Sequence, residues 1–201
     1  MRRLSAPYDA AVAAIDAANA ADPHHITVRG ETQPLALAHG RLAAAWVGHL
    51  VAEPDDALLL AARAHHLRRW EVPRATYPEG KAGYLRWRRD QKHRHADDVQ
   101  AILAEAGYDD ATIARTQELI RRDHLATDTG TQAVEDAACL VFIETQLAAV
   151  EAKFEHDRLI DVIRKTARKM SPAGLAAVGQ IALGEREHAL LAEALAGPPQ
   201  A

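Results

Sequence analysis

The sequence predicts an all-α protein built as a single helical bundle, and three observations support this. Alanine and leucine, both strong helix formers, dominate the apolar residues, which make up 48% of the 201-residue chain. Only 4% of the residues are aromatic. Apolar positions recur at helical spacing in segments separated by short runs of proline, glycine and aspartate. A chain of this length suffices for one domain with a sizeable core, so we expect one domain over residues 1–201.

Four helices are predicted in the first part of the chain, over residues 5–21, 35–51, 54–70 and 84–106. The loop after the first helix contains a short extended piece at residues 26–28. Pro54 and the two aspartates after it suit the first turn of the third helix, where acidic side chains meet the positive end of the helix dipole. Gly107 ends the fourth helix in the position just past the C-cap, which glycine favours.

Three further helices are predicted over residues 108–124, 133–154 and 171–195. Asp109 or Asp110 is expected to cap the first of these, and Ser171 followed by Pro172 is expected to begin the last. The final five residues, GPPQA, are predicted to form a frayed tail.

The charge and the cysteine content limit the classes of function. The formal net charge of -4 argues against broad nucleic-acid binding, although it leaves room for a local basic patch. The single cysteine, Cys139, cannot form an internal disulfide, which predicts a reducing compartment. The N-terminal segment lacks the apolar core of a signal peptide, and no window has the apolar length of a membrane span. We therefore expect a cytoplasmic protein that does not contact a membrane, and the sequence leaves its oligomeric state open.

The histidines are the first sign of a functional site. The chain has 11 of them, and two, His65 and His66, stand side by side at the end of the apolar segment LLLAARAHHLRRW. Adjacent helix positions point about 100° apart, so both rings cannot lie in one apolar stripe, but both can reach a cavity between helices. Taken alone, the pair is explained by one hydrogen-bonded core histidine and one surface histidine. Clustered histidines are, however, typical of metal sites.

Other candidate ligands stand on different predicted helices. His39 lies near the start of the second helix, His95 lies in the fourth, and His124 ends the fifth. Asp136 is an acidic residue near the start of an otherwise apolar helix, and a buried carboxylate needs a partner such as a cation. For His95 and His124, a solvated helix end beside a run of charges is the alternative explanation.

This order of residues resembles the HD-domain superfamily of metal-dependent phosphohydrolases. The superfamily pattern is a first histidine, a His-Asp pair that ends an apolar helix, and a distant aspartate that opens a later helix. His39, His65 and Asp136 fall on these positions. The segments HADDVQAILAEAGYDDATIARTQELIRRDH and AVEDAACL are similar to two segments of one subgroup. The resemblance implies an HD-like core at about residues 35–150, followed by C-terminal helices at residues 151–196.

The chain is also similar to a bacterial and fungal family of unassigned function that carries the stretch seen here as YPEGKAGYLRWR.

One position departs from the superfamily pattern, since His66 replaces the aspartate of the pair. A carboxylate can bridge two metal ions, whereas a neutral imidazole binds one. The resemblance therefore implies a mononuclear site of His39, His65, His66 and Asp136, which suits zinc, iron, manganese or cobalt. His95 and His124 then become candidate catalytic residues, which either protonate the leaving group, support the ligands, or form part of a second metal site.

A run of basic residues surrounds the histidine pair and continues beyond it. Residues 63–94 contain ten arginines and lysines against three acidic residues, a charge of +7 in a chain of net -4. Arginine binds phosphate through bidentate hydrogen bonds, and lysine adds a mobile charge. A solvated helix face is the plainer explanation for some of these residues. Those predicted to contact substrate are Arg68, Arg69, Lys81, Arg86 and Arg88.

The leading hypothesis is a metal-dependent phosphohydrolase that acts on a small phosphorylated metabolite or nucleotide. Its cofactor is expected to be a divalent transition metal, which lowers the pKa of a bound water and polarises the phosphoryl oxygen. Two alternatives stay open. Some HD-domain proteins hold two irons and cleave C–C or C–P bonds with oxygen, although the missing carboxylate at His66 counts against this. An HD-like framework can also serve as a non-catalytic nucleotide-binding or regulatory module.

Overall fold

The computed structural model describes residues 6–151 and 154–196, and its architecture confirms the all-α prediction. In these two ranges the chain forms nine α-helices and one two-stranded antiparallel sheet. The helices are α1 (Ala6–Ala20), α2 (Leu35–Leu50), α3 (Asp56–Ala64), α4 (Gly80–Glu105), α5 (Asp110–Arg121), α6 (Thr129–Glu151), α7 (His156–Ala167), α8 (Pro172–Val178) and α9 (Glu185–Leu195). The strands are β1 (His25–Val28) and β2 (Glu31–Pro34). The predicted frayed tail at residues 197–201 lies outside the described residues.

Helices α2, α3 and α6 pack against one another, and α1 lies against α2, α3 and α4. Small side chains make the central packing tight, since Ala61 and Ala64 of α3 are fully buried. α2 and α3 come closest at Gly40, where a Cβ would lie 2.5 Å from the carbonyl oxygen of Arg63. This close crossing brings His39 of α2 beside the histidine pair that follows α3.

The end of α3 differs from the prediction, because the helix stops at Ala64 and does not reach Trp70. A turn follows, in which Arg68 adopts a left-handed conformation with φ of 50°. The buried side chain of Asn19 in α1 accepts a hydrogen bond from the Arg68 backbone N–H, with a distance of 3.1 Å to Oδ1. Few arginines adopt this conformation, and no glycine marks the turn in the sequence, so helical periodicity alone predicted too long a helix.

Three other helix boundaries also differ from the prediction. α4 begins at Gly80, four residues before the predicted start at residue 84. α5 ends at Arg121, because Arg122 adopts a left-handed conformation with φ of 65°. α6 begins at Thr129, and the side chain of Asp128 accepts a hydrogen bond from the Thr131 N–H at 2.6 Å. The predicted cap at Asp109 is confirmed, since its side chain accepts from the Thr112 N–H at 2.8 Å.

The C-terminal segment, where helices were predicted at residues 151–196, contains three of them in its described part. Residues 156–167 form α7, and the predicted helix at residues 171–195 is divided into α8 and α9 by a segment bounded by Gly179 and Gly184. Ser171 caps α8 as predicted, its hydroxyl accepting from the Gly174 N–H at 3.1 Å. In the described part of the chain, no helix combines the length and apolarity needed to cross a bilayer.

The extended piece predicted at residues 26–28 belongs to a hairpin. β1 pairs with β2, with Val28 opposite Glu31, and Arg29 and Gly30 form the two-residue turn with positive φ angles that such turns require. The buried Asp22 before this hairpin accepts a hydrogen bond from the Ala36 N–H at 3.0 Å. This bond caps the start of α2, the helix that carries His39.

Candidate functional site

Four of the predicted histidines lie together and form what we call the imidazole cluster: His39 from α2, His65 and His66 from the turn after α3, and His95 from α4. The rings of His65 and His66 stack with their centroids 4.0 Å apart. The ring centroid of His66 also lies 5.5 Å from that of His39 and 6.2 Å from that of His95. His66 is half-buried and the other three are buried. The fold thus brings together histidines from three separate segments.

A chain of hydrogen bonds assigns the protons on two of these rings. The Thr145 hydroxyl in α6 donates to the carbonyl oxygen of Val141 at 2.6 Å, so its oxygen is free to accept. His39 Nε2 lies 3.1 Å from that oxygen and therefore donates to it. A neutral His39 then carries a lone pair on Nδ1, and His66 Nδ1, which is 3.3 Å away, donates to it. This assignment leaves a lone pair on Nε2 of His66.

His65 and His95 present nitrogen atoms that the described part of the chain does not satisfy. His65 Nδ1 lies 2.8 Å from the carbonyl oxygen of Ala62 and must therefore carry the proton. The lone pair on its buried Nε2 has no partner, and neither ring nitrogen of His95 has a partner of good geometry. The backbone of Leu67 lies near the His95 ring and acts to raise its pKa, but it does not form a hydrogen bond of good geometry with either nitrogen. Buried polar atoms without partners are rare, which makes this cluster a candidate ligand site.

All four imidazoles are held in the neutral form near pH 7. Burial and the charge of Arg69 lower the pKa of His39 to about 4 and the pKa of His95 to about 3. Burial also lowers the pKa values of His65 and His66 well below 6.5. Neutral imidazole is the form that binds metal ions and accepts protons.

Three members of the imidazole cluster, His65, His66 and His95, line a pocket of about 250 Å³. Five cationic side chains and one carboxylate also line it: Arg69, Arg88, Lys92, Arg122, Lys169 and Glu135. Cys139 lies in the same wall, and burial raises the pKa of its thiol to about 12, so it is uncharged. The pocket therefore combines neutral imidazoles with a surplus of positive charge.

Three of the five cations have no carboxylate partner among the described residues. The guanidinium group of Arg69 lies 4.4 Å from the ring centroid of Trp87, and that of Arg88 lies 5.8 Å from the ring centroid of Tyr84. Lys92 forms no ion pair in the same part of the chain. Burial and the charge of Arg122 lower the pKa of Lys92 to about 8. This shift agrees with a pocket in which positive charges outnumber negative ones.

The other two cations share one carboxylate. Arg122 Nε donates to Glu135 Oε2 at 3.1 Å, and the two side chains are only 6% and 7% exposed. Other N–H groups of Arg122 donate to backbone carbonyl oxygens at the end of α5 and in α6. Lys169 Nζ lies 4.0 Å from Glu135 Oε1. Arg122 is therefore a fixed part of the wall, and Glu135 is engaged by two cations already.

Asp136, predicted as the fourth metal ligand, does not line the pocket, and its carboxylate is bonded elsewhere. Its Oδ1 accepts from the Ser171 N–H and from Gln132 Nε2, both at 2.9 Å, and its Oδ2 accepts from the Ser171 hydroxyl at 2.6 Å. A Cβ at Gly174 would lie 2.6 Å from its Cγ atom. The buried carboxylate was expected to need a cation, but it finds its partners at the start of α8.

Four other predicted site residues lie outside both the pocket lining and the imidazole cluster, namely Arg68, Lys81, Arg86 and His124. Arg68 forms the left-handed turn after α3, and Lys81 and Arg86 are exposed on α4, with Arg86 Nε 3.7 Å from Asp90. His124 is exposed because α5 ends three residues before it. Of the residues predicted to contact substrate, Arg69 and Arg88 line the pocket.

The imidazole cluster fits a metal ion only in part. Tetrahedral zinc holds imidazole nitrogens at about 2.0–2.1 Å, which places two of them about 3.3 Å apart. His39 Nδ1 and His66 Nδ1 have this separation, and the Thr145 hydroxyl holds the other nitrogen of His39 as is usual for a metal ligand. Within the described residues, however, no three His, Cys, Asp or Glu side chains are grouped to hold one ion. The predicted set that includes Asp136 therefore does not fit this geometry, whereas two of its imidazoles do.

Sequence reasoning missed five residues of the pocket and the cluster: Lys92, Arg122, Glu135, Lys169 and Thr145. Lys92 stood in the basic run one helical turn before His95, so helical spacing could have identified it. Arg122 and Glu135 stand beside residues that were predicted, but only the end of α5 and the packing of α6 turn them towards the pocket. No signal in the sequence identifies Thr145.

Comparisons with known proteins place the chain in a family. The model of a family described as a domain of unknown function (DUF4202) matches residues 9–191, which include the whole imidazole cluster and the pocket. No curated protein and no solved structure matches the chain. Nothing in the family match links the chain to the HD-domain superfamily, so that resemblance stays a prediction. Because the match extends over most of the sequence, the chain belongs to the DUF4202 family.

Proposed function

We propose that the protein is a phosphohydrolase that acts on a small phosphorylated metabolite or nucleotide bound in the pocket. The observation that supports this most directly is a group of cations that have no carboxylate partner in the described part of the chain, Arg69, Arg88 and Lys92, beside neutral imidazoles. Partly buried charges are costly unless they are paired. Phosphoryl oxygens are the partners that arginine and lysine favour, so an anionic substrate satisfies the pocket.

The residues of the pocket have distinct roles in this proposal. Arg69 and Arg88 hold the phosphoryl oxygens and stabilise the charge that develops on them in the transition state. The lone pair on His65 Nε2 accepts the proton of the attacking water. His95 protonates the leaving group once the bound anion has raised its pKa, because that anion offsets the effects of burial and of Arg69. His124 has no role, since it lies outside the pocket.

A divalent transition metal (zinc, iron, manganese or cobalt) remains part of the proposal. Two of its donors would be the Nδ1 atoms of His39 and His66, which have the separation of two zinc ligands, and the carboxylate of Asp136 is not among them. When bound, the metal would supply a Lewis acid and a water of lowered pKa. Neutral imidazoles are ready to bind such an ion without first losing a proton.

Metal analysis of the purified protein, followed by phosphatase and nucleotidase assays with each divalent ion, tests the proposal. We expect Arg69→Met and Arg88→Met to abolish phosphate release, because each removes a phosphate contact. Arg86→Met is the matched control, since Arg86 is exposed on the same helix as Arg88 and does not line the pocket. Thermal unfolding of each variant verifies that it is folded.

The competing hypotheses predict different results in the same experiments. Iron in the purified protein together with oxygen consumption would favour an oxygenase. Binding of phosphorylated ligands without turnover would favour a binding or regulatory module. The absence of phosphate release with every substrate and ion would overturn the hydrolase.

A further inference from the structure

We infer that the ligand of the pocket carries two phosphoryl groups, as inorganic diphosphate and small bisphosphates do. The inference rests on the proposed function, because it names the class of substrate that the same pocket takes. It goes beyond the proposal in requiring a second anionic group on the ligand. The charge balance and the arrangement of the lining residues support it.

The charge of the pocket exceeds what one phosphate can balance. Among the described residues, five cations and one carboxylate line it, which gives a net charge of +4 while the imidazoles are neutral. A phosphate monoester carries about -1.5 to -2 charges near pH 7, so roughly two positive charges would stay unbalanced. Two phosphoryl groups carry about twice that charge and balance the whole surplus. Because unpaired charges in a partly buried pocket are costly, the balanced complex is the more stable one.

The three cations that have no carboxylate partner among the described residues reach the pocket from two separate segments. Arg69 follows the turn after α3, whereas Arg88 and Lys92 lie one helical turn apart on α4. The two guanidinium groups lie against different aromatic rings, those of Trp87 and Tyr84, which hold them as independent contacts. Two independently held guanidinium groups suit a ligand with two phosphoryl groups, since each can bind one of them in a bidentate manner.

The size of the pocket restricts the rest of the ligand. Its volume of about 250 Å³ is below the roughly 300–1,000 Å³ of sites that enclose drug-sized molecules. The pocket therefore suits a ligand smaller than a drug-sized molecule. Tyr84 both lines the pocket and is 43% exposed, so a larger substituent on the ligand would extend along this side into solvent.

Isothermal titration calorimetry with methylenediphosphonate, inorganic phosphate and sulfate tests the inference. The diphosphonate resists hydrolysis, and a chelator in the buffer keeps divalent metals out of the comparison. We expect methylenediphosphonate to bind about tenfold or more tightly than phosphate, because its second phosphoryl group adds charged hydrogen bonds. Lys92→Met should reduce this preference. Lys165→Met is the matched control, because Lys165 is an exposed lysine on α7 that pairs with Asp161.

Proton uptake provides a second measurement at pH 8. Burial and the charges of Arg122, Arg88 and Lys169 lower the pKa of Lys92, and the carboxylate of Glu135 raises it. Because its pKa is about 8, Lys92 is half neutral at this pH, and a bound diphosphonate should drive uptake of about half a proton. In Lys92→Arg the side chain keeps its positive charge and does not titrate near pH 8. The difference in uptake between the wild type and this variant therefore isolates Lys92 from the ligand's own titration.

The outcomes separate this inference from the proposed function. Equal affinities for phosphate and diphosphonate would overturn the inference and leave the hydrolase intact. Failure of every anion to bind would overturn both. Tight, Lys92-dependent binding of diphosphonate without phosphate release from any substrate would support the inference and overturn the hydrolase.

Discussion

His39 and His66 are 27 positions apart in the sequence, and their Nδ1 atoms lie 3.3 Å apart in the structure. The contact depends on the close crossing of α2 and α3 at Gly40, where the backbone of Arg63 leaves no room for a side chain. It also depends on Thr145, whose hydroxyl oxygen accepts a hydrogen bond from His39 Nε2–H and so leaves the lone pair on His39 Nδ1 free to accept from His66. The positions of the protons on His39 and His66 are therefore set from α6.

Replacing Thr145 with valine should destabilise the protein and change the tautomer of His39. The variant leaves the buried N–H on His39 Nε2 without a partner, at a cost of about 1–3 kcal/mol in the free energy of unfolding. Urea denaturation measures this cost, and ¹⁵N chemical shifts of the imidazole rings report the tautomer. Thr116→Val is the matched control, because the hydroxyl of this buried threonine also donates to a carbonyl oxygen four residues earlier. Equal costs for the two variants would contradict the proposed bond to His39.

Lowering the pH below 6.5 should destabilise the protein through the imidazole cluster. The unfolded chain binds protons at these histidines near pH 6.5, whereas the folded protein does not until about pH 4 at His39 and about pH 3 at His95. The folded pKa values are depressed, so stability is retained above pH 6.5 and is lost as the pH falls towards 4. Each such histidine contributes a slope of about 1.4 kcal/mol per pH unit in this window.

The contribution of His95 can be measured by comparing urea denaturation of the wild type and His95→Gln between pH 7 and pH 4.5. On unfolding, the variant should take up about one proton fewer than the wild type, so its free energy of unfolding should depend less steeply on pH. His188→Gln serves as the control, since it removes an exposed histidine of α9 that lies outside the imidazole cluster. An unchanged slope in His95→Gln would show that His95 is protonated in the folded protein.

Replacing Asp136 with asparagine should weaken the attachment of α8 without weakening anion binding. The amide group would present N–H donors where the Ser171 N–H, the Ser171 hydroxyl and Gln132 Nε2 all donate, at a cost of about 1–3 kcal/mol. A double-mutant cycle with Ser171→Ala should give a clear coupling energy, because the two side chains are in direct contact. Loss of bound metal from Asp136→Asn without loss of stability would restore this residue as a ligand.

Replacing Glu135 with glutamine should lower stability and raise the affinity for anions. The change removes the carboxylate from the pocket wall and leaves Arg122 as an unpaired buried charge, which costs about 3–5 kcal/mol for a typical buried pair. The positive surplus of the pocket increases at the same time, so phosphate should bind more tightly. Glu118→Gln is the control, because its pair with Arg115 is partly exposed and should contribute about 1 kcal/mol or less. Weaker phosphate binding by Glu135→Gln would show that Glu135 contacts the ligand.

The helical architecture and most of its boundaries follow from local features of the sequence. Apolar spacing predicted most of the helices. The caps at Asp109 and Ser171 could be predicted because a capping side chain bonds to the first turn of its own helix. Local features of the sequence did not predict the end of α3. It depends on Asn19, which bonds the turn at Arg68 from 49 residues away.

The gathering of His39, His65, His66 and His95 was expected from the sequence because residue type and order suffice to nominate candidates. Their partners depend on which groups the packed helices place within about 3 Å, and no local pattern encodes that distance. A buried aspartate looks the same in sequence whether it binds a cation or the start of a helix, and only the docking of α8 decided this for Asp136. Likewise, the sequence determined that positive charge follows the histidine pair, but tertiary packing selected Arg69, Arg88 and Lys92 for the pocket and left Lys81 and Arg86 in solvent, because a helix can turn only one face inward.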